Sequence, residues 1–150
     1  MEANSVPGFL FVDHVAIAVK AGELEKQVAA YKLMGFTEIH REDVLGTDQV
    51  REVLLQIGAG PNLIQLLEPL SPDSPVAKQI EKSGGRGGFA HIALRVADVH
   101  KAFADLKQKG FQIIDDAPRR GSRGTTVFFV HPRTTEAAAF GYLIEVVQEG

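Results

Sequence analysis

The chain has 150 residues, of which 45% are hydrophobic and 23% are charged, and this balance is typical of one globular domain. It contains no cysteine, which excludes disulfide bonds and thiolate metal ligands. The formal net charge of −3 argues against general binding of nucleic acid, and no apolar run in the sequence is long enough to span a membrane. Because the N-terminal residues lack the pattern of a secretory signal, we expect a cytoplasmic location.

The same order of elements is predicted in both halves of the chain. A loose tail at residues 1–8 precedes a strand, a helix and three strands, and a linker at residues 69–88 contains one short helix. The second half again predicts a strand, a helix and three strands, with a loop at residues 116–124. The predicted bounds are a strand at 9–19, a helix at 22–33, strands at 36–44, 50–57 and 62–67, a helix at 76–83, a strand at 89–96, a helix at 97–109, and strands at 111–114, 125–130 and 142–147.

The two halves also match in local sequence. Residues 12–19 and 89–96 are both apolar and rich in β-branched residues, and each contains a histidine at the same place. The last strand of the first half likewise matches the last strand of the second half. This repeat predicts an α+β fold in which two tandem βαβββ modules, at about residues 9–68 and 89–148, pair about a pseudo-twofold axis within one domain spanning residues 9–149.

The repeat places one polar residue inside each of four apolar strands: His14, Gln65, His91 and Glu145. Because side chains alternate along a strand, each could instead point to solvent, and the two histidines could be buried structural residues. A polar or titratable group is costly to bury without a partner. The recurrence of such residues at matched positions in both halves therefore favours a shared function. Two imidazoles, an amide oxygen and a carboxylate would suit a divalent ion with two coordination positions left for water or substrate.

The paired modules with these four positions resemble the vicinal-oxygen-chelate superfamily, which includes glyoxalases, extradiol dioxygenases and antibiotic-binding proteins. Within it, residues 66–75, 127–132 and 143–146 resemble the epimerases that act on methylmalonyl-CoA. The resemblance covers about residues 10–148 and implies a curved β-sheet cleft. It also implies a metal-dependent enzyme that interconverts (2R)- and (2S)-methylmalonyl-CoA by removing the proton on the α-carbon and returning it on the other face.

The resemblance further implies a role for individual residues. The four polar residues of the repeat become ligands of a divalent ion, with Co²⁺ placed first and Zn²⁺, Mn²⁺, Ni²⁺ and Mg²⁺ as the other candidates. Glu52 and Glu145 become the two catalytic bases. We also predict that Arg120, Ser122 and Arg123 bind the acyl-CoA, although an arginine-rich segment is equally typical of a solvated loop. The epimerases usually carry a lysine in that loop and a second histidine where this chain has Ala90.

Two other functions stay open at this point. A glyoxalase-like lyase or isomerase would share the ligand set, and a non-enzymatic protein of the same fold would bind a small molecule between the two sheets. The glyoxalase pattern expects glutamate where this chain has Gln65, which favours the epimerases. A homodimer is expected by the same resemblance.

Overall fold

The structure is a computed structural model that describes residues 8–150, so residues 1–7 of the predicted N-terminal tail lie outside the described residues. Eight β-strands and three α-helices lie within this range. In chain order they are β1 (Phe9–Ala18), α1 (Leu24–Leu33), β2 (Thr37–Val44), β3 (Val50–Gln56), β4 (Leu63–Pro69), α2 (Pro75–Lys82), β5 (Gly88–Val96), α3 (Val99–Gln108), β6 (Arg119–Arg120), β7 (Thr126–Val130) and β8 (Leu143–Gln148). Within residues 8–150, no helix is both long enough and apolar enough to cross a membrane.

The described residues form two compact units, which we call the first and the second module. The first module consists of residues 14–90, and the second consists of residues 91–150 together with the start of β1 up to Asp13. In the first module β1 runs parallel to β4, and β4 and β2 both lie antiparallel to β3. In the second module β5 runs parallel to β8, and β8 and β6 both lie antiparallel to β7. The predicted fold class, two tandem βαβββ modules, is confirmed.

The predicted strand at residues 111–114 is wrong. This segment meets β7 through a single bridge between Ile113 and Val130. The ladder ends there because the Asp115 carboxylate accepts the backbone N–H of Phe129 at 2.7 Å, in place of a backbone carbonyl. The strand that pairs with the other end of β7 is the short β6, which lies inside the predicted loop at residues 116–124.

One face of the first module's sheet is covered by α1. The buried side chains of Leu24 and Val28 pack there against Leu55 and Leu66. Since side chains alternate along each strand, the residues between these apolar ones point to the opposite face. That opposite face carries the polar residues that the sequence repeat singles out in this module.

The second module is built in the same way around α3. Val99, Ala102 and Leu106 of the helix pack against Phe128 and Val146 of the sheet. Because side chains alternate along β8, Glu145, the residue before Val146, points away from the helix. Each module therefore has one apolar face under a helix and one face left for other contacts.

The linker between β4 and β5 contains α2, which begins at Pro75, where the fixed φ of proline suits the first turn of a helix. The Ser74 hydroxyl accepts the N–H of Val76 at 3.2 Å and so caps the helix. At the end of the linker, a Cβ atom on Gly87 would lie 2.4 Å from the carbonyl oxygen of Ala18. Glycine at this position therefore allows the linker to pass close to the end of β1.

Arg41 connects β2 to α1 on the outer face of the first module. Its guanidinium donates to Glu25 at 2.6 Å and to Glu38 at 3.1 Å. These hydrogen bonds hold the pKa of both carboxyls below its usual range. With Arg41 directed outward, the two flanking residues of β2 point to the other face of the sheet.

The N-terminal cap of α3 provides a test of how the second module is held together. The Asp98 carboxylate accepts the N–H groups of His100 and Lys101 at 3.0 and 3.1 Å. We expect Asp98→Ala to lower the free energy of unfolding by about 1 kcal/mol, because both N–H groups lose their acceptor. The measurement is urea unfolding followed by circular dichroism.

The matched control is Glu23→Ala at the N-cap of α1. Within the described residues, the Glu23 side chain makes no capping hydrogen bond, so this change should cost less than about 0.5 kcal/mol. Equal losses for the two variants would contradict the assigned role of Asp98.

Candidate active site

His14 and Gln65 point to the same face of the first module. In the parallel pairing of β1 with β4, Ala16 is the partner of Gln65, and His14 lies two residues before Ala16 on the same side of the strand. Both side chains are buried, so the alternative in which these residues point to solvent does not apply to them. The face that carries them is the one opposite α1.

Glu52 lies beside Gln65 on this face and is 1% exposed. The Gln65 amide donates from Nε2 to Oε1 of Glu52 at 2.6 Å. A carboxylate accepts only from the NH₂ end of an amide, so this bond turns Gln65 Oε1 away from Glu52. Within the part of the chain that the structure describes, this buried oxygen has no hydrogen-bond partner. An amide oxygen oriented in this way is suited to bind a cation.

His40 and Glu42 form a pair next to Glu52 that the sequence analysis did not identify. His40 Nε2 lies 2.6 Å from Glu42 Oε1, and Glu42 is the cross-strand partner of Glu52. Ligand-type atoms of the three side chains lie within 4.8 Å of one another. The signal in the sequence is the alternation along β2, which places both residues opposite the outward Arg41.

The second module presents a similar face with a different composition. Ala93 of β5 is the partner of Glu145 in β8, so His91 and Glu145 lie on one side of the sheet. His91 Nε2 is 3.2 Å from Glu145 Oε1, and both residues are buried. Residue Glu145 is 8% exposed, whereas the side chain of Glu149 near the C-terminus of the chain is largely open to solvent.

The ring of Phe129, the cross-strand partner of Glu145, lies against the imidazole of His91. The two rings meet edge to face, with centroids 5.3 Å apart and planes at 89°. The guanidinium of Arg119 lies 5.5 Å from the centroid of Phe129. Asp115 accepts from Arg119 Nε at 2.8 Å and from the backbone N–H of Phe129. It therefore fixes both the Arg119 guanidinium and the backbone that carries the Phe129 ring.

The two polar faces differ at the position of Glu52. Glu52 pairs with Leu67, two residues after Gln65, and Val127 pairs with Val147, two residues after Glu145. Val127 therefore occupies in the second module the place that Glu52 occupies in the first. A carboxylate stands on the third strand of one module and an apolar residue on the equivalent strand of the other.

The residues predicted to bind the acyl-CoA surround a tight turn between β6 and β7. Arg120 lies on β6 and is exposed. The carbonyl of Ser122 accepts the N–H and the hydroxyl of Thr125 at 3.0 and 2.7 Å. Arg123 is directed to Asp13, with Nη2 3.4 Å from Oδ1. This last contact spans 110 residues of the chain, so no local pattern in the sequence indicates it.

The types of donor atom on the two faces favour a site for a divalent cation over a purely structural role for the buried histidines. The first module offers an imidazole and a carbonyl-type amide oxygen, and the second offers an imidazole and a carboxylate. Nitrogen and oxygen donors of this kind fit first-row divalent ions. The oriented, buried oxygen of Gln65 supports this fit, because a structural role would have given it a hydrogen-bond donor.

Residues 13–129 match the family described as the Glyoxalase/Bleomycin resistance protein/Dioxygenase superfamily. The chain belongs to this superfamily, as the sequence predicted. It is 33% identical over 137 residues to the mitochondrial methylmalonyl-CoA epimerase of Bos taurus, a match that covers 91% of this chain and 73% of that protein.

Solved structures give the same picture. The methylmalonyl-CoA epimerase of Mycobacterium tuberculosis superposes with a TM-score of 0.86 at 31% identity, covering 100% of this chain and 93% of that one. A methylmalonyl-CoA epimerase in complex with methylmalonyl-CoA and NH₄⁺ gives a TM-score of 0.82 at 37% identity, covering 95% and 96%. The predicted resemblance to the epimerase branch of the superfamily is confirmed, and the relatives are enzymes.

The hydrogen bond between Gln65 and Glu52 can be tested by a double-mutant cycle in metal-free protein. Gln65→Leu should lower the free energy of unfolding by about 1–3 kcal/mol, because the buried carboxylate loses a donor. Adding Glu52→Leu should recover at least half of that loss, because both partners are then apolar. Urea unfolding of the two single variants and the double variant gives the coupling energy.

Gln56→Leu is the matched control on β3. Gln56 donates to the carbonyl of Gly60 at 3.1 Å in a half-buried position, four residues from Glu52. This change should be additive with Glu52→Leu. Equal coupling in the two pairs would rule out a specific contact between Gln65 and Glu52.

Proposed function

We propose that the chain is a metal-dependent epimerase that interconverts (2R)- and (2S)-methylmalonyl-CoA. The observation that carries the proposal is the buried carboxylate of Glu52, held at 2.6 Å by Gln65 on the face that also carries His14. Such a group is expensive to bury and is typical of an acid or base in catalysis. Similarity to methylmalonyl-CoA epimerases over nearly the whole chain supports the choice of substrate.

His14, Gln65, His91 and Glu145 would together hold one divalent ion, with Co²⁺ as the first candidate and Zn²⁺, Mn²⁺, Ni²⁺ and Mg²⁺ as the others. This arrangement requires the polar faces of the two modules to meet at one cation. When bound, such an ion supplies Lewis-acid stabilisation of the negative charge that develops on the thioester oxygen. The bond between Gln65 and Glu52 prepares the amide oxygen for this role before the ion arrives.

Epimerisation requires one base on each face of the α-carbon. In our proposal one of the carboxylates, Glu52 or Glu145, removes the α-proton, and the electron pair of the broken C–H bond moves into the thioester carbonyl. The other carboxyl, which is already protonated, delivers its proton to the opposite face of the same carbon, so the overall composition is unchanged. The two carboxylates come from different modules, and the proposal requires them to face opposite sides of the α-carbon.

The turn around Ser122 is the proposed contact region for the acyl-CoA. The Ser122 hydroxyl would contact the thioester, and the guanidinium groups of Arg120 and Arg123 would supply positive charge for the CoA phosphates. The exposed position of Arg120 supports this role for that residue. The homodimer and the cytoplasmic location expected from sequence stay predictions.

The metal requirement can be tested directly. We expect elemental analysis of the purified protein to find about one equivalent of divalent metal per chain, and chelation should abolish epimerisation until Co²⁺ is added back. His14→Ala and His91→Ala should each lose the ion, because each removes one ligand. His100→Ala, which changes an exposed histidine on α3, is the control. A fully active metal-free protein would contradict the proposal.

Glu52→Gln tests the two-base mechanism in deuterated water. The amide can still accept the hydrogen bond from Gln65 but cannot take a proton, so we expect epimerisation to fall by roughly 10²- to 10⁴-fold with the metal retained. Exchange of the α-proton should persist for one epimer only, the one whose proton faces Glu145. Nuclear magnetic resonance of the recovered substrate measures both quantities.

The exposed Glu25→Gln is the control for this variant and should keep full activity. Exchange of both epimers at the normal rate in Glu52→Gln would remove Glu52 from the mechanism. Turnover of a glyoxalase-type hemithioacetal without α-proton exchange in methylmalonyl-CoA would favour the lyase or isomerase alternative. Metal binding and acyl-CoA binding with no turnover would favour a binding protein.

A further inference from the structure

Asp13 is a buried carboxylate that lies between two arginines from distant parts of the sequence. It is 1% exposed and accepts from Arg95 Nη2 at 2.6 Å and from Arg95 Nε at 2.8 Å. Its other oxygen, Oδ1, lies 3.4 Å from Nη2 of Arg123. The carboxylate therefore joins β1, the end of β5 and the turn between β6 and β7 within the second module.

Two guanidinium groups meet one carboxylate here, and Glu149 balances the second positive charge. Arg95 donates from Nη1 to Glu149 Oε2 at 2.9 Å, at a position open to solvent. The guanidinium of Arg95 also lies 5.1 Å from the centroid of Phe11. Arg95 is thus held by three neighbours, and Arg123 forms an ion pair with Asp13.

The turn that contains Arg123 has a constrained backbone. Arg123 has a φ of 56°, in the left-handed region that few residues other than glycine and asparagine adopt. Gly121 donates to the carbonyl of Thr125 at 2.9 Å, and Thr125 binds back to Ser122. A Cβ atom on Gly121 would lie 2.7 Å from the Thr125 hydroxyl oxygen. The turn is compact, and the Arg123 side chain connects it to Asp13 of β1.

We propose that Asp13 is a positioning residue for the acyl-CoA-binding turn: it holds Arg123 and thereby fixes the place of Ser122. The inference rests on the proposed function, which assigns Ser122 to the thioester. Asp13 directly precedes His14 in β1, so the same strand carries a proposed metal ligand and the anchor of the substrate loop. This refines the role proposed above for Arg123: its guanidinium positions the turn through Asp13, and the exposed Arg120 provides the positive charge for the CoA phosphates.

Hydrogen–deuterium exchange of the metal-loaded protein tests the anchor without any assay of activity. Arg123→Asn is the variant of choice, because asparagine tolerates the left-handed conformation but is too short to reach Asp13. We expect amide exchange in peptides covering residues 119–127 to rise on the order of tenfold, with exchange in α3 unchanged. Arg123→Lys should restore part of the protection.

Kinetics with methylmalonyl-CoA test the consequence for the substrate. In Arg123→Asn we expect KM to rise about tenfold, with a smaller change in kcat and no change in the metal content. Glu149→Gln removes only the exposed partner of Arg95, so it should leave both the exchange pattern and KM unchanged. Asp13→Asn should raise exchange in residues 119–127 as Arg123→Asn does.

The results that would overturn the proposal differ from those that would overturn the epimerase function. Unchanged exchange in residues 119–127, or an equal rise in α3, would show that Asp13 does not specifically hold the turn. A loosened turn with an unchanged KM would show that the anchor does not serve the substrate. If the wild-type protein does not turn over methylmalonyl-CoA, the proposed function fails, while the exchange experiment still decides whether the anchor exists.

Discussion

The parallel pairing of the first and last strands of each module is the constraint on which the rest of the site depends. In this pairing Ala16 meets Gln65 and Ala93 meets Glu145, so the histidine two residues earlier in each first strand falls on the same face as the polar residue of the last strand. A shift of one residue in either ladder would turn that polar residue under the helix, into an apolar layer. The apolar contacts of α1 and α3 oppose such a shift, because they bury the alternate residues of the same strands.

On this common frame the two modules present different chemistry. The first adds Glu52 and the pair of His40 and Glu42 to its polar face. The second instead packs the ring of Phe129 against His91 and places Arg119 beside that ring. One face therefore carries several groups able to exchange protons. The other places an aromatic ring beside Glu145, the carboxylate that combines ligation with proton transfer in our proposal.

Much of this arrangement could be predicted from the sequence, for an identifiable reason. His14, Gln65, His91 and Glu145 stand inside apolar strands at repeated positions, and both signals are local. The pair of His40 and Glu42 was missed because polar residues lie on both faces of β2, so its sequence does not indicate which face turns toward Glu52. The contacts of Asp13 with Arg95 and Arg123 join residues 82 and 110 positions apart, which no local pattern indicates. The strand predicted at residues 111–114 failed because the Asp115 side chain replaces a backbone acceptor.

The duplication also provides an internal comparison for Glu52. Val127 occupies the equivalent register in the second module, where it is buried against Ala93 and Val147. An apolar residue is thus compatible with this position in the fold, and it avoids the cost of removing a carboxylate from water. The first module bears that cost at Glu52 and limits it with a hydrogen bond from Gln65. Since the architecture does not require a carboxylate at this position, the reason for its presence lies in the chemistry of the site rather than in the stability of the sheet.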